Sequence, residues 1–345
     1  MRAAVLRAGA MVVRDDVPDP EPEFGQVLVE VKACGICGSD LHFAKHGPTL
    51  LALGQEMEGM PDLGGMQPDL GRDVFMGHEF SAEVLEIGPD TIGPKPGTLV
   101  TSIPAMLTLT GVKDLVYSND LPAGYSERML LSAPMLVEVP NGLEAGLAAL
   151  TEPMAVGLHA VNRSGIESSA GALVLGCGPV GLAVIAALQQ RGIAPIVASD
   201  YSPARRTLAE RMGAHVAVDP AEEPAFDAWV REGGGRPLVV FEAIGVPGII
   251  DSALRSAPPQ SRIVVVGVCM ERDAITPFFA IGKELNLQFV LGYDPMEFEA
   301  SLRSIAAGEV DVEPMITGRV GLDGVPDAFR ALANPDEHCK ILVTP

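Results

Sequence analysis

Four residues of types that commonly bind zinc occur in separate short motifs along the chain: Cys37, His78, Glu79 and Glu152. Cysteine, histidine and carboxylate side chains are the usual ligands of a catalytic zinc ion, which needs three protein groups and one open position. Cys34 and Cys37 also form a C-x-x-C pair, but a structural zinc ribbon needs a second such pair, and the chain has none. The four residues therefore indicate one catalytic metal site.

Each of these residues, taken alone, also has a purely structural interpretation. His78 is compatible with an ordinary hydrogen-bonded histidine, and Glu152 with the first turn of a helix that has Pro153 at its start. Their interpretation as metal ligands depends on their occurrence together with a nucleotide-binding motif further along the chain.

That motif is a glycine-rich turn after a continuous apolar run at 172–175. The sequence at 176–181 is Gly-Cys-Gly-Pro-Val-Gly, between a predicted strand and a predicted helix, which is the context that the motif requires. The first glycine allows the tight turn, the second lets the backbone approach a pyrophosphate, and the third lets helix and strand pack closely. The helix N-terminus then offers N–H donors to the phosphates. The predicted cofactor-binding residues of the turn are Gly176, Gly178, Pro179, Val180 and Gly181.

Asp200 ends the next predicted strand, 19 residues after Gly181. A carboxylate in this position accepts hydrogen bonds from ribose hydroxyls and repels a 2′-phosphate, so it favours NAD over NADP. Arg205 and Arg206 weaken this preference, since guanidinium groups can hold a phosphate. The sequence predicts NAD as the cofactor.

The metal and nucleotide motifs together indicate alcohol oxidation, which removes a hydride and a proton. NAD accepts the hydride, and a zinc ion lowers the pKa of an oxygen that it binds, so that the proton can leave near neutral pH. Ser39 and His42 follow Cys37 closely in the sequence. Their hydroxyl and imidazole groups are suited to carry that proton away.

The elements that position these residues fall into two parts. The first 150 residues are predicted to be mostly strands and turns, such as 26–32, 80–87 and 127–131. After Leu150, apolar strands alternate with helices, which predicts an α/β, doubly wound parallel sheet. Between them, 46–73 lacks a clear period and is predicted to be a long loop, with Met57, Met60 and Met66 as candidates for an adaptable apolar wall.

Composition narrows the function further. The chain has 345 residues, enough for two domains, and a net charge of −21, which disfavours nucleic acid and anionic membranes as partners. No apolar run reaches the length of a membrane span. Five cysteines are few for a chain of this length, and their number is odd, so a disulfide framework is not expected. We therefore expect a reducing, cytoplasmic location. His159 lies in an apolar helical segment and is predicted to be packed rather than chemical.

With these motifs in hand, the sequence resembles the zinc-dependent medium-chain dehydrogenase/reductase (alcohol dehydrogenase) family almost from end to end. The Glu152-Pro153 element is most similar to the sorbitol, threonine and butanediol dehydrogenase branch. The motifs that carry the resemblance are Cys37-Gly38-Ser39-Asp40-Leu41-His42, Gly77-His78-Glu79, Glu152-Pro153, 176–181, Asp200, Phe241-Glu242-Ala243-Ile244-Gly245 and Lys340-Ile341-Leu342-Val343.

The resemblance implies a role for each site residue. Cys37 and His78 would bind catalytic zinc, with either Glu79 or Glu152 as a further direct ligand, and Asp40 would orient an imidazole from behind. The remaining implied roles are a proton relay with the nicotinamide ribose for Ser39 and His42, adenosine-ribose binding for Asp200 and Arg205, and proximity to the nicotinamide for Val268.

The resemblance also implies a domain order. A β-rich, GroES-like catalytic domain would comprise 1–153 and 294–345, with a Rossmann dinucleotide-binding domain at 154–293 inserted into it. Homodimers or homotetramers are usual in the family. Many relatives hold a structural zinc with four clustered cysteines, whereas 97–124 contains no cysteine here, so one catalytic zinc and no structural zinc is expected.

Three functions follow from this sequence. The leading hypothesis is a zinc- and NAD-dependent oxidoreductase that transfers a hydride between NAD(H) and a secondary alcohol or polyol/ketone pair. One alternative is a zinc-free, NADPH-dependent reductase of quinones or enones with the same fold, which would not need Cys37, His78 and Glu152 together. The other is a non-catalytic nucleotide-binding protein, which would be expected to lose the relay or ligand residues.

Overall fold

The chain folds into a β-rich part and an α/β part. One helix links the two parts, and the C-terminal segment returns to the β-rich part. The computed structural model describes residues 1–56, 68–108, 111–334 and 336–345. Met57, Met60 and Met66, the predicted apolar wall, lie outside the described residues. Within the described ranges, no helix combines the length and the apolar character needed to cross a membrane.

The N-terminal part consists mainly of strands. Its elements are β1 (Ala3–Arg7), β2 (Ala10–Arg14), β3 (Gln26–Gly35), α1 (Gly38–Glu56), β4 (Val74–Phe75), β5 (Glu79–Ile87), β6 (Leu99–Ser102), β7 (Ala105–Thr108), β8 (Gly111–Asp114), β9 (Arg128–Ser132) and β10 (Leu136–Glu138).

Two helices lead into the α/β part, and two strands and a helix close the chain. These elements are α2 (Ala145–Ala149), α3 (Thr151–Ser164), β11 (Gly171–Leu175), α4 (Pro179–Gln190), β12 (Ile196–Ser199), α5 (Pro203–Arg211), β13 (Val216–Val218), α6 (Ala225–Glu232), β14 (Leu238–Glu242), α7 (Ile249–Ser256), β15 (Arg262–Val265), α8 (Pro277–Lys283), β16 (Asn286–Phe289), α9 (Pro295–Ala306), β17 (Ile316–Val320), α10 (Val325–Ala331) and β18 (Lys340–Val343).

The main sheet of the β-rich part has the order β10-β6-β5-β3-β18-β17, and β9 also pairs with β3. Alternation within β3 buries Val27, Val29 and Val31 on one face, as predicted. The C-terminal strand β18 lies antiparallel to β3, with Leu342 opposite Gly35. The end of the chain thus returns to the sheet formed by its beginning.

The α/β part is a six-stranded parallel sheet of order β13-β12-β11-β14-β15-β16. All five residues of β11 are buried, because helices cover both faces of the sheet. The strand order reverses at β11, and ligands of such sheets bind at the carboxyl ends of the strands beside this point. The helix α3 contacts β5 as well as α4 and α9, so it joins the two parts. The proposed domain boundaries at 153/154 and 293/294 remain predictions.

The loop predicted from residue 46 is wrong for its first part. Residues 46–56 are helical and continue α1 after a kink at His46, where φ is −122° and ψ is 15°. Pro48 lies two residues after the kink, where the first turn of the second helical segment leaves its missing N–H without consequence. The glycines and the proline in this segment interrupt its helical periodicity, so the sequence pattern did not predict the helix.

Candidate active site

Cys37, His78 and Glu79 meet because two neighbouring strands are antiparallel. Gly35 at the end of β3 pairs with Glu79 at the start of β5, so the residues just beyond each strand end lie side by side. One potential ligand atom from each of the three side chains lies within 4.8 Å of the others. His78 and Glu79 are buried and Cys37 is half-buried. The sheet register therefore forms a compact S/N/O donor set from motifs 41 residues apart.

Asp40 lies behind His78 in the first turn of α1 and is fully buried. Its Oδ2 accepts hydrogen bonds from the Cys37 backbone N–H at 3.1 Å and from the Tyr125 hydroxyl at 2.6 Å. Its Oδ1 lies 3.4 Å from Nδ1 of His78. Burial lowers the pKa of His78, but the charge of Asp40 and contact with Cys37 outweigh it, so the net shift is well upward. Asp40 thus orients the imidazole with Nε2 on the opposite side.

Glu79 is engaged by a residue that the sequence analysis assigned to a motif but gave no role. Both carboxylate oxygens of Glu79 accept hydrogen bonds from Nζ of Lys340, each at 2.6 Å, and both side chains are buried. Burial by itself would lower the pKa of Lys340, but Glu79 raises it overall. The two residues are 261 positions apart, so no local pattern indicates the pair. Lys340 reaches the site because β18 lies beside β3.

Glu152 lies in the first turn of α3 and is half-buried, and it is not part of the donor set within 4.8 Å. Burial raises its pKa to about 7, against the attraction of His78. The nearby side chain of Tyr293, a residue that the sequence did not single out, opposes this rise in the pKa. The structure thus gathers three of the four candidate ligands tightly and leaves the fourth within electrostatic range.

The donor chemistry of this cluster fits a zinc ion. Bond lengths of about 2.0–2.3 Å place the ligand atoms of one tetrahedral zinc roughly 3–4 Å apart, which agrees with the observed spread. The buried Nδ1 of His78 and Oδ1 of Asp40 make no conventional hydrogen bond, and they face each other. Such a carboxylate behind an imidazole is typical of metal-bound histidines. Cys37, His78 and either glutamate are the residues that would hold the ion.

Ser39 and His42 lie on α1 beside this cluster. The Ser39 Oγ is 3.4 Å from Nε2 of His78, while His42 is exposed. Partial desolvation lowers the pKa of His42, and the nearby His46 and Lys45 lower it further. The rings of His42 and His46 lie with centroids 6.4 Å apart. A hydroxyl at the donor cluster is thus followed, one turn along the helix, by an imidazole in contact with solvent.

The glycine turn has the geometry expected of a nucleotide-binding loop. Gly176 has a φ of +89°, which favours glycine, and Gly178 precedes α4, whose first residues are Pro179 and Val180. A Cβ on Gly181 would lie 1.9 Å from the carbonyl oxygen of Gly176, so a side chain there would push the helix from the strand. The turn exposes backbone N–H groups at the carboxyl end of β11.

Asp200 follows β12 and points back at this turn. Its Oδ2 accepts the Cys177 N–H at 2.7 Å and its Oδ1 accepts the Ser202 N–H at 2.9 Å. Each oxygen keeps a second lone pair for a ribose hydroxyl. Arg206 is paired with Asp219 at 3.0 Å, whereas Nε of Arg205 is buried without a hydrogen-bond partner.

Val268 lies at the same edge of the sheet, two strands from the glycine turn. It follows β15 and is 53% exposed. Its backbone packs directly against Gly245, where a Cβ would lie 2.7 Å from the Val268 N. The motif at 241–245 therefore holds the Val268 segment at the carboxyl end of the parallel sheet.

Both parts of the chain match models of known protein families. Residues 23–141 match the alcohol dehydrogenase GroES-like domain and residues 179–307 match the zinc-binding dehydrogenase family. The (R,R)-butanediol dehydrogenase of Bacillus subtilis (strain 168) is 33% identical over 341 residues, covering 96% of each chain. This chain belongs to the zinc-type medium-chain alcohol dehydrogenase family, in its sorbitol and butanediol dehydrogenase-like branch.

Two further relatives span the whole molecule. The sorbitol dehydrogenase of the same organism is 26% identical over 361 residues, covering 100% of this chain and 97% of the relative. The crystal structure of 2R,3R-butanediol dehydrogenase from Bacillus subtilis superposes with a TM-score of 0.81 at 31% identity, covering 100% of this chain and 99% of that structure. The predicted family, the predicted fold class and the predicted reaction class, a dehydrogenase acting on CH–OH groups, are confirmed.

Proposed function

We propose that this family member is a zinc- and NAD-dependent dehydrogenase that interconverts a secondary alcohol or polyol with its ketone. The observation that carries the proposal is the S/N/O donor set of Cys37, His78 and Glu79 in the same chain as a complete dinucleotide-binding turn. The butanediol and sorbitol dehydrogenases among its relatives support the substrate class.

In this proposal Cys37 and His78 hold the ion together with Glu79 or Glu152. When bound, zinc polarises the substrate oxygen, and NAD accepts the hydride. Lys340 restrains Glu79 through both carboxylate oxygens, so a metal on Glu79 would have to share those oxygens with the ammonium group. Glu152 carries no such pair and its raised pKa favours the protonated form in the absence of metal. Metal binding would therefore compete with the Lys340 ion pair at Glu79 and with a proton at Glu152.

The chain's own groups provide a path for the proton. Ser39 is within 3.4 Å of the imidazole that would face the metal, so its hydroxyl is placed to accept a proton from the reacting oxygen. The exposed His42 then exchanges that proton with solvent, with the nicotinamide ribose bridging the two groups in the family arrangement. Neutral imidazole is the form that accepts a proton, and its lowered pKa favours that form near neutral pH.

NAD rather than NADP follows from Asp200 at the adenosine end of the pocket. Its carboxylate is fixed by two backbone N–H groups and would repel a 2′-phosphate. Arg206 is neutralised by Asp219, which leaves Arg205 as the cation that faces the turn. We expect Asp200→Gly to raise the use of NADP relative to NAD. A wild-type enzyme that already prefers NADP would contradict this assignment.

The number of zinc ions and the location are further parts of the proposal. We expect one catalytic zinc and no structural zinc, because 97–124 lacks cysteine. All five cysteines are free thiols, which supports a reducing, cytoplasmic location.

A homodimer or homotetramer is supported by an apolar surface around the edge strand β16. In the described sheet β16 pairs with β15 alone, and open apolar edges are typical association sites. Light scattering of the purified protein tests this. The large apolar side chains that are more than 60% exposed near this edge are Phe278, Ile281, Phe289, Leu291 and Met296.

One experiment decides between the three hypotheses. Protein purified without chelator is analysed for zinc and then assayed with diols and polyols by NADH absorbance, beside the Cys37→Ser variant. We expect one zinc per chain, NADH formation, and loss of activity with retained NADH binding in the variant. A zinc-free wild type that reduces quinones with NADPH would support the reductase. A protein that binds NADH but oxidises nothing would support the non-catalytic hypothesis.

A further inference from the structure

Glu242 is a buried carboxylate between the two strands that lead to the cofactor-binding segments. It is the last residue of β14, and it pairs with Leu175 of β11 on one side and with Val265 of β15 on the other. The residue is 1% exposed. A buried carboxylate is costly unless hydrogen bonds compensate for the water that it loses. The partners of Glu242 therefore show what its carboxylate stabilises.

The carboxylate of Glu242 closes the turn that follows it, at residues 243–245. Its Oε1 accepts the backbone N–H groups of Ile244 at 2.7 Å and of Gly245 at 2.8 Å. A carboxylate oxygen has two lone pairs, so one oxygen can hold both groups. Gly245 is buried, so without this acceptor its N–H would lose its hydrogen bond away from water. We call 243–245 the spacer turn.

The spacer turn lies directly against the segment that leads to Val268. The carbonyl oxygen of Glu242 accepts the N–H groups of Val266 and Gly267, at 2.8 and 2.9 Å. A Cβ on Gly267 would lie 2.4 Å from the N of Gly245, so the two backbones touch without a side chain between them. Any movement of the spacer turn toward this segment therefore displaces Val268.

The other side of the spacer turn lies against the glycine turn at 176–181. The N–H of Ala243 donates to the carbonyl oxygen of Leu175 at 2.8 Å. A Cβ on Gly176 would lie 2.7 Å from Cγ1 of Ile244. The spacer turn thus lies between the segment predicted to bind the pyrophosphate and the segment predicted to lie near the nicotinamide.

We propose that Glu242 is a positioning residue for the dinucleotide: its carboxylate holds the spacer turn and so sets the distance between the glycine turn and Val268. The inference rests on the proposed function, because it takes these two segments as the pyrophosphate and nicotinamide ends of one cofactor site. Glu242 acts on the cofactor only through them. Asp200 braces the glycine turn separately, through the Cys177 N–H at 2.7 Å. Loss of the Glu242 carboxylate should therefore disturb the nicotinamide end most.

The Glu242→Leu variant tests this because leucine fills a similar volume and removes the acceptor. Dissociation constants of NADH and of ADP-ribose, which lacks the nicotinamide, are measured by calorimetry on the purified protein. We expect Glu242→Leu to weaken NADH binding about 10-fold, an effect within the range for a buried N–H that loses its acceptor. ADP-ribose binding should weaken by less than about 3-fold, because Asp200 still braces the glycine turn. Glu242→Gln keeps an acceptor oxygen and should bind NADH as wild type does.

Gly245→Ala is a second variant, which displaces Val268 without removing the carboxylate, since its Cβ would lie 2.7 Å from the Val268 N. We expect the same selective loss of NADH affinity. Ser261→Ala is the control at the opposite end of β15. It removes a buried hydroxyl that donates to the Pro258 carbonyl oxygen at 2.8 Å, so it should lower thermal stability without changing either dissociation constant.

Three outcomes would each overturn the proposal. The first is unchanged NADH affinity in Glu242→Leu or in Gly245→Ala. The second is equal weakening of NADH and ADP-ribose in Glu242→Leu, and the third is a Glu242→Gln protein that binds NADH as weakly as Glu242→Leu does. Neither titration needs zinc or an alcohol. A wild type that binds NADH without oxidising alcohols would therefore overturn the proposed function and not this assignment.

Discussion

Among the residues that the structure describes, two clusters each bring three potential metal ligands within 4.8 Å of one another. We expect different roles for them, because their donors have different partners. The catalytic cluster consists of Cys37, His78 and Glu79, and the helix-junction cluster consists of His159, Asp294 and Glu297.

In the helix-junction cluster, hydrogen bonds within the protein already satisfy the carboxylate. Oε2 of Glu297 accepts the Asp294 backbone N–H at 2.8 Å, as part of the capping box of α9, and lies 2.7 Å from Nδ1 of His159. Its Oε1 accepts a hydrogen bond from Asn162. The cluster therefore joins α9 to α3, and His159 is packed against a partner rather than placed for chemistry, as its apolar helix indicated.

In the catalytic cluster, by contrast, the protein satisfies only one donor strongly. Lys340 takes both oxygens of Glu79, while Nε2 of His78, on the side away from Asp40, has a long 3.4 Å contact with the Ser39 hydroxyl. The catalytic cluster also contains a cysteine, whose thiolate is a strong zinc ligand, whereas the other cluster offers one imidazole and two carboxylates. Proximity of donors therefore does not by itself define a metal site, and we expect a metal where unsatisfied donors are oriented by a second layer of residues.

The strongest test of this comparison exchanges one donor in each cluster. Cys37→Ser should abolish stoichiometric zinc binding. Loss of a residue that supports a metal ligand costs up to about 100-fold in activity, and loss of the ligand itself should cost more. Glu297→Gln should leave zinc content and kcat near wild type. Elemental analysis and NADH absorbance check both variants. Zinc loss from Glu297→Gln would mean that the helix-junction cluster also binds metal.

The next largest effect is expected at Lys340. Lys340→Met would leave the Glu79 carboxylate buried without a counter-charge and should destabilise the fold by about 3–5 kcal/mol. Denaturant unfolding measures this change. Lys340→Arg is the matched control because it keeps the charge, and it should recover much of the stability. Equal stability of the Met and wild-type proteins would show that this ion pair does not stabilise the fold.

A smaller effect is expected behind His78. Asp40→Asn retains hydrogen bonding to Tyr125 and Cys37 but removes the charge that faces Nδ1 of His78. Zinc affinity should fall about 10- to 100-fold, measured by competition with a chromogenic chelator. Asp15→Asn, at an exposed carboxylate far from the site in sequence, is the control and should leave affinity unchanged. Unaltered affinity in Asp40→Asn would show that the charge of Asp40 does not support metal binding by His78.

The smallest effect is a pH dependence at the helix junction. Burial opposes ionisation of Glu297, but hydrogen bonds from Asp294, Asn162 and His159 outweigh it and lower its pKa below the usual 4.5. A lowered folded-state pKa stabilises the protein above about pH 4.5 and loses that contribution as the pH falls through the folded value. Glu297→Gln should therefore be less stable than wild type at pH 7, by about 1 kcal/mol.

The matching measurement is thermal unfolding of wild type and Glu297→Gln from pH 7 to pH 3. The stability difference should shrink as the pH falls, because wild type loses its ionised cap and the variant has none to lose. A difference that stays constant over this range would show that Glu297 acts only by packing.

Local patterns predicted much of the α/β part. The apolar run of β11 and the glycines of the following turn fall where the sequence placed them, because short-range sterics dictate a turn that begins with a glycine at positive φ. Asp200 shows the limit of this reasoning. Its strand position was predictable, but its two hydrogen bonds to backbone N–H groups, which also make it a brace for the glycine turn, were not.

The partners of the candidate site were predictable only in part. Cys37, His78 and Glu79 were recognisable from their motifs, and their roles as zinc ligands stay predictions. Lys340 gave no signal of its contact with Glu79, because it reaches the site through the pairing of its strand with a segment that is distant in the sequence. The prediction for residues 46–56 was wrong in the opposite direction, because a helix forms there despite the glycines and the proline.

The sequence by itself determined which chemical groups the protein has and which short segments carry them. Local properties, namely residue type, turn sterics and strand periodicity, act over a few neighbouring positions. The nucleotide turn and the family could therefore be predicted without coordinates. Only the tertiary structure decided which of those groups are satisfied and which are left free. Strand register and burial set that balance: they pair Glu79 with Lys340 and place Asp40 behind His78, and these distances depend on the packing of the whole chain.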